Sequence, residues 1–414
     1  MNQASFFSLN LADLYILCWC IYYQQEALFS SGGLIFQGVL IVLLLMSLYF
    51  AFQVITKYKT PIYFKGLNMF LGVMVIYGLL LTISGEKVYV KATMEYYHSY
   101  DYLKLLLTSL LPIYSFFYFG EQGYITKDKL TIYVIIFIAL AVNQFFYSQE
   151  QILATRSNNN NENFEVTNNV GYIFVSIIPL IALVKRNLIK YVSLCICVAF
   201  AYLSVKRGAI VTSTISLLLF LLMSLKSSKR GHKFVILIVI FAIAFGLYYF
   251  VLNILQNNAL FLYRLESTQS GEIGVREKIF SDLWEHFLNN RSLLSILFGN
   301  GAFATAETTI NFAHNDWLEI LTDQGLLGVI IYVFYWLCFY KTWRKNKMQN
   351  SSSFSMSIIL FMFIFFIKTF FSMSFINLEI PATLALGYSL SQINNNQKTN
   401  FIHNKLNSRY VTNC

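Results

Sequence analysis

The sequence predicts an all-α, polytopic membrane protein of about 12 transmembrane helices, forming one domain over residues 1–414, and three observations carry that expectation. Hydrophobic residues make up 57% of the chain and charged residues 12%. A soluble globular chain has about 25% charged residues, so this one could not cover its own surface in water. The apolar residues fall in continuous runs close to the roughly 20 that a helix needs to cross a bilayer core. Closed barrels, which alternate apolar and polar positions, are therefore excluded. Basic clusters recur on every second connection, as the positive-inside rule requires. The same composition excludes disorder, collagen, a nucleic-acid-binding domain and a cytosolic enzyme. A net charge of +10 then asks which side the Lys and Arg residues face.

In chain order the expected spans lie near 6–23, 34–55, 66–84, 102–119, 130–147, 169–184, 189–205, 208–225, 234–253, 325–343, 355–376 and 378–392. The first lacks a basic leader and a small-residue cleavage site, so it is expected to stay as a span. Cys18, Cys20, Cys195, Cys197 and Cys338 sit in apolar stretches and Cys414 is the last residue. They read as small apolar fillers, because no His or carboxylate stands near the two C-x-C pairs at ligand spacing.

With the N-terminus in the cytoplasm, nineteen of the thirty basic residues fall inside. They include Lys57, Lys59 and Lys65, then Lys185, Arg186 and Lys190, and Lys341, Arg344, Lys345 and Lys347. Nine fall outside, which favours this orientation with both termini cytoplasmic. The exception is Lys206–Arg207, in the tight turn between the seventh and eighth spans on the outer side. Interfacial snorkelling is the plain explanation; an anion site is the sharper one. Lys368 is also unusual. It lies in the outer half of the eleventh span, facing either a cavity or the interface.

Of the outer segments, 148–168 reads as a flexible low-complexity loop around Asn158–Asn161. Residues 254–324 are expected to form one large outer loop between the ninth and tenth spans, with its own patterning. From Arg276 to Leu288 the apolar residues Ile279, Phe280, Leu283, Trp284 and Phe287 recur at helical spacing. An amphipathic helix on the outer membrane surface is expected there. Phe298 to Ala302 reads as a glycine turn. Asn311 or Asn315 is placed to cap a short helix that precedes Gly325, Gly328 and the tenth span. His98, His232, His286 and His403 read as structural; His314, at the start of this surface helix, is set apart. Glu307, Asp316, Glu319 and Asp323 surround it. Any of them is placed to orient His314, although solvated surface charge is the commoner fate of such residues.

The segment His314-Asn315-Asp316-Trp317-Leu318-Glu319, followed after nine residues from Asn315 by Gly325-Leu326-Leu327-Gly328, resembles the signature of the O-antigen ligase and polymerase superfamily of bacterial membrane glycosyltransferases. Gly274-x-Arg276, Trp284, Gly299-x-Gly301, the Arg207 turn, and Asn168-Asn169 with Gly171 and Pro179 are similar to further elements of that family. The last spans carry no motif that matches. The resemblance implies a GT-C-like helical fold with an outward-facing cavity in the bacterial inner membrane. It implies a glycan donor linked to undecaprenyl pyrophosphate, transfer to a sugar hydroxyl, and release of the lipid pyrophosphate. By the same resemblance Arg207 and Arg276, with Lys206 beside them, would meet the pyrophosphate, and His314 would act at the acceptor hydroxyl. Asn315, Glu319, Trp284 and Lys368 are candidate supporting residues. The acceptor is a lipid-linked repeat for a polymerase or lipid A–core for a ligase. Membrane lipid and a chain-length regulator complete the expected partners, with no nucleic acid.

The residue chemistry fits independently. Arginine's planar fork suits phosphate oxygens, and histidine titrates where a hydroxyl proton can be taken. No paired outer carboxylates recommend a metal, and no cofactor is expected. A lipid-linked glycan transporter is the distant alternative. The chain has four prolines, no visible inverted repeat, and its polar groups gathered on one face.

Overall fold

A computed structural model of the chain describes residues 9–24, 34–58, 61–91, 94–159, 168–227, 275–290, 292–349, 353–375 and 378–411, together with residues 245, 246, 249 and 252. The expected ninth span, apart from those few residues, and the outer-loop stretch that includes Gly274 lie outside the described residues.

The described chain is helical apart from one small hairpin. The helices are α1 (Leu11–Tyr23), α2 (Leu34–Lys57), α3 (Ile62–Ser84), α4 (Ser99–Ser109), α5 (Leu111–Glu121), α6 (Lys127–Asn159), α7 (Gly171–Ile181), α8 (Asn187–Leu203) and α9 (Arg207–Ser227). They continue with α10 (Val275–Asn289), α11 (Leu293–Phe298), α12 (Ala304–Thr308), α13 (Asp316–Gln349), α14 (Ser353–Lys368) and α15 (Ile380–Val411). Strands β1 (Val88–Val90) and β2 (Glu95–Tyr97) pair antiparallel, with Val88 opposite Tyr97. Among the described residues, six helical stretches are long and apolar enough to cross a membrane, and four shorter helices are apolar. Helix occupies each expected span that falls on described residues.

Several boundaries differ from expectation, α15 running on to Val411 among them. The fourth span breaks at Leu110, where Pro112 near the start of α5 has no N–H to continue the ladder. Helix α6 runs on to Asn159, so helix extends into the segment expected to be a flexible loop. Helix α14 stops at Lys368 rather than near residue 376, and the chain turns back toward the start of α13.

Two helix pairings organise the bundle. Helix α15 lies along α5, where a Cβ on Gly387 would sit 2.6 Å from the Ile113 carbonyl. Helix α13 lies along α3. In lipid, helices gain from such close packing rather than from a hydrophobic drive. Large apolar side chains such as Leu45, Phe52, Ile76, Leu80 and Ile330 remain exposed, as lipid-facing positions would. At one end, Asp13 pairs with Lys129, and Glu121 with Lys398 at 2.6 Å. The opposite end holds the hairpin, the Ser204–Arg207 turn, helices α10 to α12 and the turn after α14. Rings of Tyr97 and Tyr102 against Phe303 join the hairpin side to the outer segment. The Asn168 N–H donates to the Ser204 carbonyl at 2.9 Å, joining the start of α7 to the end of α8.

Candidate functional site

The expected amphipathic helix is α10, and two residues of its apolar face do the docking. Ile279 and Leu283 are buried against Ala313, with Phe280 and Leu318 beside them. That contact sets the first turn of α10 next to the loop that carries His314.

His314 has φ +53, the left-handed region that a side-chain-bearing residue enters at a cost of about 1–2 kcal/mol. Its neighbours hold it there. The Glu319 carboxylate accepts the Ala313 N–H at 2.8 Å. Asn315 caps α13, its Oδ1 accepting from the N–H groups of Trp317 at 3.0 Å and Leu318 at 3.2 Å. The Asp316 N–H donates to the Thr369 carbonyl at 2.8 Å, and the Trp317 indole N–H to the Thr369 hydroxyl at 2.9 Å. Among the described residues the other non-glycine residues with positive φ are Met94, Val205 and Phe303, all in turns at this end of the bundle. Backbone strain of this kind persists only where the surroundings over-determine it, and it clusters at functional sites.

Burial pushes the His314 imidazole down to about 4, and the positive charges of Arg276 and Lys206 push in the same direction. The ring is therefore neutral at pH 7 and stands within electrostatic reach of both cations. The Arg276 charge also acts on the Tyr172 phenol. Arg207 opens α9 and is exposed, one residue beyond Lys206 and two beyond the strained Val205. Lys206 and Arg276, from two separate stretches of sequence, thus both act electrostatically on His314.

The carboxylates are a correction. Asp316, Glu319 and Asp323 are buried, not solvated, and only Glu307 is exposed. None of the three bonds His314 itself; each ties down backbone around it. Asp316 accepts from the Ser374 N–H at 2.7 Å, from the Ser374 hydroxyl, and from the Tyr332 hydroxyl at 2.6 Å. Asp323 accepts from the Phe303 and Thr305 N–H groups and the Thr305 hydroxyl. Sequence reasoning placed Asp316 and Asp323 where they could orient His314 but favoured solvated surface charge, because a carboxylate beside a loop motif is usually hydrated. The signal was their i, i+3 and i+7 placement with Glu319 on one helical face.

Lys368 does not snorkel. It is buried at the end of α14, with Nζ 5.1 Å from the Tyr172 ring centre and 5.5 Å from that of Phe365, in the field of Glu379 and Asp316. Trp284 is half exposed and stacks on Phe287; Ile279 and Leu283, not Trp284, seat the helix. Among the described residues no three His, Cys, Asp or Glu side chains converge as a metal site would need.

Fold and cluster together define a helical membrane protein with a cation-flanked histidine at one end of its bundle. Residues 192–333 match the family model described as O-Antigen ligase, a stretch that runs from α8 into α13 and contains Lys206, Arg207, Arg276 and His314. The match covers about a third of the chain and supports a relationship to the O-antigen ligase and polymerase superfamily. No curated protein compared with the chain matches it.

Proposed function

We propose that the chain transfers a glycan from undecaprenyl pyrophosphate to a sugar hydroxyl at the periplasmic face of the bacterial inner membrane, as a polymerase of O-antigen or other surface-polysaccharide repeat units. The observation that carries this reading is the neutral, strained His314 beside Arg276 and Lys206 within the matched stretch. The acceptor hydroxyl attacks the anomeric carbon and its oxygen forms the new glycosidic bond. The bond from that carbon to the phosphate oxygen breaks, and its electron pair leaves with the lipid pyrophosphate. Arg276, Arg207 and Lys206 meet the leaving charge, so the step needs no metal. His314 takes the hydroxyl proton. One displacement inverts the anomeric centre.

The electrostatics link the two halves of the step. A bound pyrophosphate offsets two of the three influences that hold the His314 imidazole down. The ring then becomes a stronger base when donor is present, closer to the range where proton transfer is efficient.

The family's description as a ligase favours the alternative acceptor, lipid A–core. The polymerase reading rests on the wording of the motif from Asn315 to Glu319. Both use the same donor and leaving group, so the acceptor separates them. Deletion of the gene followed by gel analysis of surface glycans tests this. Lipid A–core capped by single repeats means polymerase. Core without repeats, with lipid-linked polymer accumulating, means ligase. Unchanged chain length with lost export means a transporter and ends the proposal.

A further inference from the structure

A polar groove of about 750 Å³ opens beside the candidate site, lined by Asp282, Glu285, His286, Asn290, Asn300 and Thr308 among others. None of its chemistry is used by the transfer step. At 3.6 residues per turn, Arg276 lies on one flank of the buried Ile279–Leu283 face of α10, while Asp282 and His286 lie on the other. Asp282 is about 9 Å along the helix from Arg276. A single helix therefore presents a cation toward His314 and a polar wall toward the groove.

The groove is built rather than incidental. The Asn300 N–H donates to the Thr322 carbonyl at 2.9 Å, fixing the facing wall to α13. Asn300 Nδ2 stands 3.4 Å from His286 Nε2 and spans the groove from wall to wall. Asn290 Oδ1 accepts the Ser292 N–H at 2.9 Å, which holds the floor turn. His286, which reads as structural in the sequence, is exposed on this surface.

The lining selects its ligand class. Two carboxylates repel a pyrophosphate. Carboxylates, amides, an imidazole and a hydroxyl make the wall more polar than apolar, which suits an acyl chain poorly. What it suits is a neutral molecule with many hydroxyls, since planar carboxylates and amides accept and donate hydrogen bonds in pairs. The volume falls in the usual range for small-molecule sites. We propose that this groove is a distal subsite for the acceptor glycan, holding sugar residues beyond the one whose hydroxyl reacts at His314. The proposal rests on the transferase reading above. It adds that the acceptor is gripped by its body as well as its reacting end.

The test uses purified full-length protein in nanodiscs and, as probe, the host's repeat-unit oligosaccharide released from its lipid by mild acid. Binding is read by saturation-transfer NMR, and turnover by acceptor titration at saturating donor. Asp282→Ala and Glu285→Ala change exposed side chains. Each is expected to weaken probe binding and raise the acceptor KM about tenfold, the loss of one hydrogen bond to a charged group. The kcat and the donor KM should hold. An active wild type with unchanged binding and KM in the double variant overturns the subsite and leaves the transferase reading standing. An inactive wild type that still loses probe binding in the double variant overturns the transferase reading and keeps the groove as a glycan site.

Discussion

The backbone of Gly299 fills the space where a side chain on Gly325 would stand. A Cβ on Gly325 would sit 2.5 Å from the Gly299 nitrogen and 2.6 Å from the Leu297 carbonyl, and one on Gly299 would run into the backbone of Asp323 and Gln324. Both have positive φ, +75 and +68. The Asn300 and Gly301 N–H groups then bond the Thr322 and Asp323 carbonyls at 2.9 and 3.0 Å. The glycine turn and the break between the surface and membrane parts of α13 are thus one interlocked feature, and it sets where His314 sits.

Alanine at Gly299 or Gly325 should therefore lower stability more than alanine at Gly301, whose Cβ would meet nothing despite φ +112. Strained φ alone costs about 1–3 kcal/mol; the backbone collision adds to it at the first two. Thermal unfolding in detergent gives the order. Equal melting of all three variants would contradict the interlock.

Removing the Asp316 carboxylate should loosen the turn after α14 from the His314 motif. Asp316→Ala leaves the buried Ser374 N–H without its acceptor, at a cost of about 1–3 kcal/mol. Because Ser374 bonds Asp316 through both N–H and hydroxyl, Asp316→Ala and Ser374→Ala should be non-additive in a double-mutant cycle. Additive losses would show that the two act separately.

Much of this was legible in the sequence, for physical reasons. Ile279 and Leu283 fall four apart, and that spacing alone predicts a face to bury. The Asn315 cap and Gly325 break are written in residue types that do little else at those positions. The burial of Asp316, Glu319 and Asp323 was hinted at only by their shared helical face, because it depends on donors from Ala313, Phe303 and Ser374 that only the folded chain supplies. The end of α14 at Lys368 was hidden by the apolar residues that follow it, which turn back onto Trp317 and Asp316 instead of extending the helix.

The pH dependence has a definite sign. His314 is held at about 4 in the folded protein, first by burial and then by Arg276 and Lys206, against an ordinary value of 6.5. Between these values the unfolded chain binds a proton that the folded chain does not. This group's contribution to stability therefore rises with pH through that window and is constant above it. Arg276→Gln removes one of the causes, so the acid limb of the activity profile should move to higher pH in that variant. An unmoved limb would mean that Arg276 does not act on His314.

The proposed topology places both termini in the cytoplasm and residues 254–324 in the periplasm. A reporter active only in the cytoplasm should give signal when fused after Lys347 and none after Asn289. The reverse pattern would invert the assignment and remove the outer location of the site.

The cationic cluster should be specific for the fork geometry as well as for charge. Arg207→Ala and Arg276→Ala are each expected to cost about 10–150-fold in turnover, and Arg→Lys to recover only part of it. Normal polymer length in both alanine variants, at wild-type protein levels, would move the pyrophosphate site elsewhere.

The most direct test of the account is the turnover of His314→Gln, measured as lipid-linked glycan consumed by purified protein at pH 7. Glutamine can still hydrogen-bond an acceptor hydroxyl but cannot take its proton. A positioned base is worth about 10²–10⁴-fold, so turnover should fall by that factor while acceptor binding persists. Turnover close to wild type would contradict the assignment of His314 as the base.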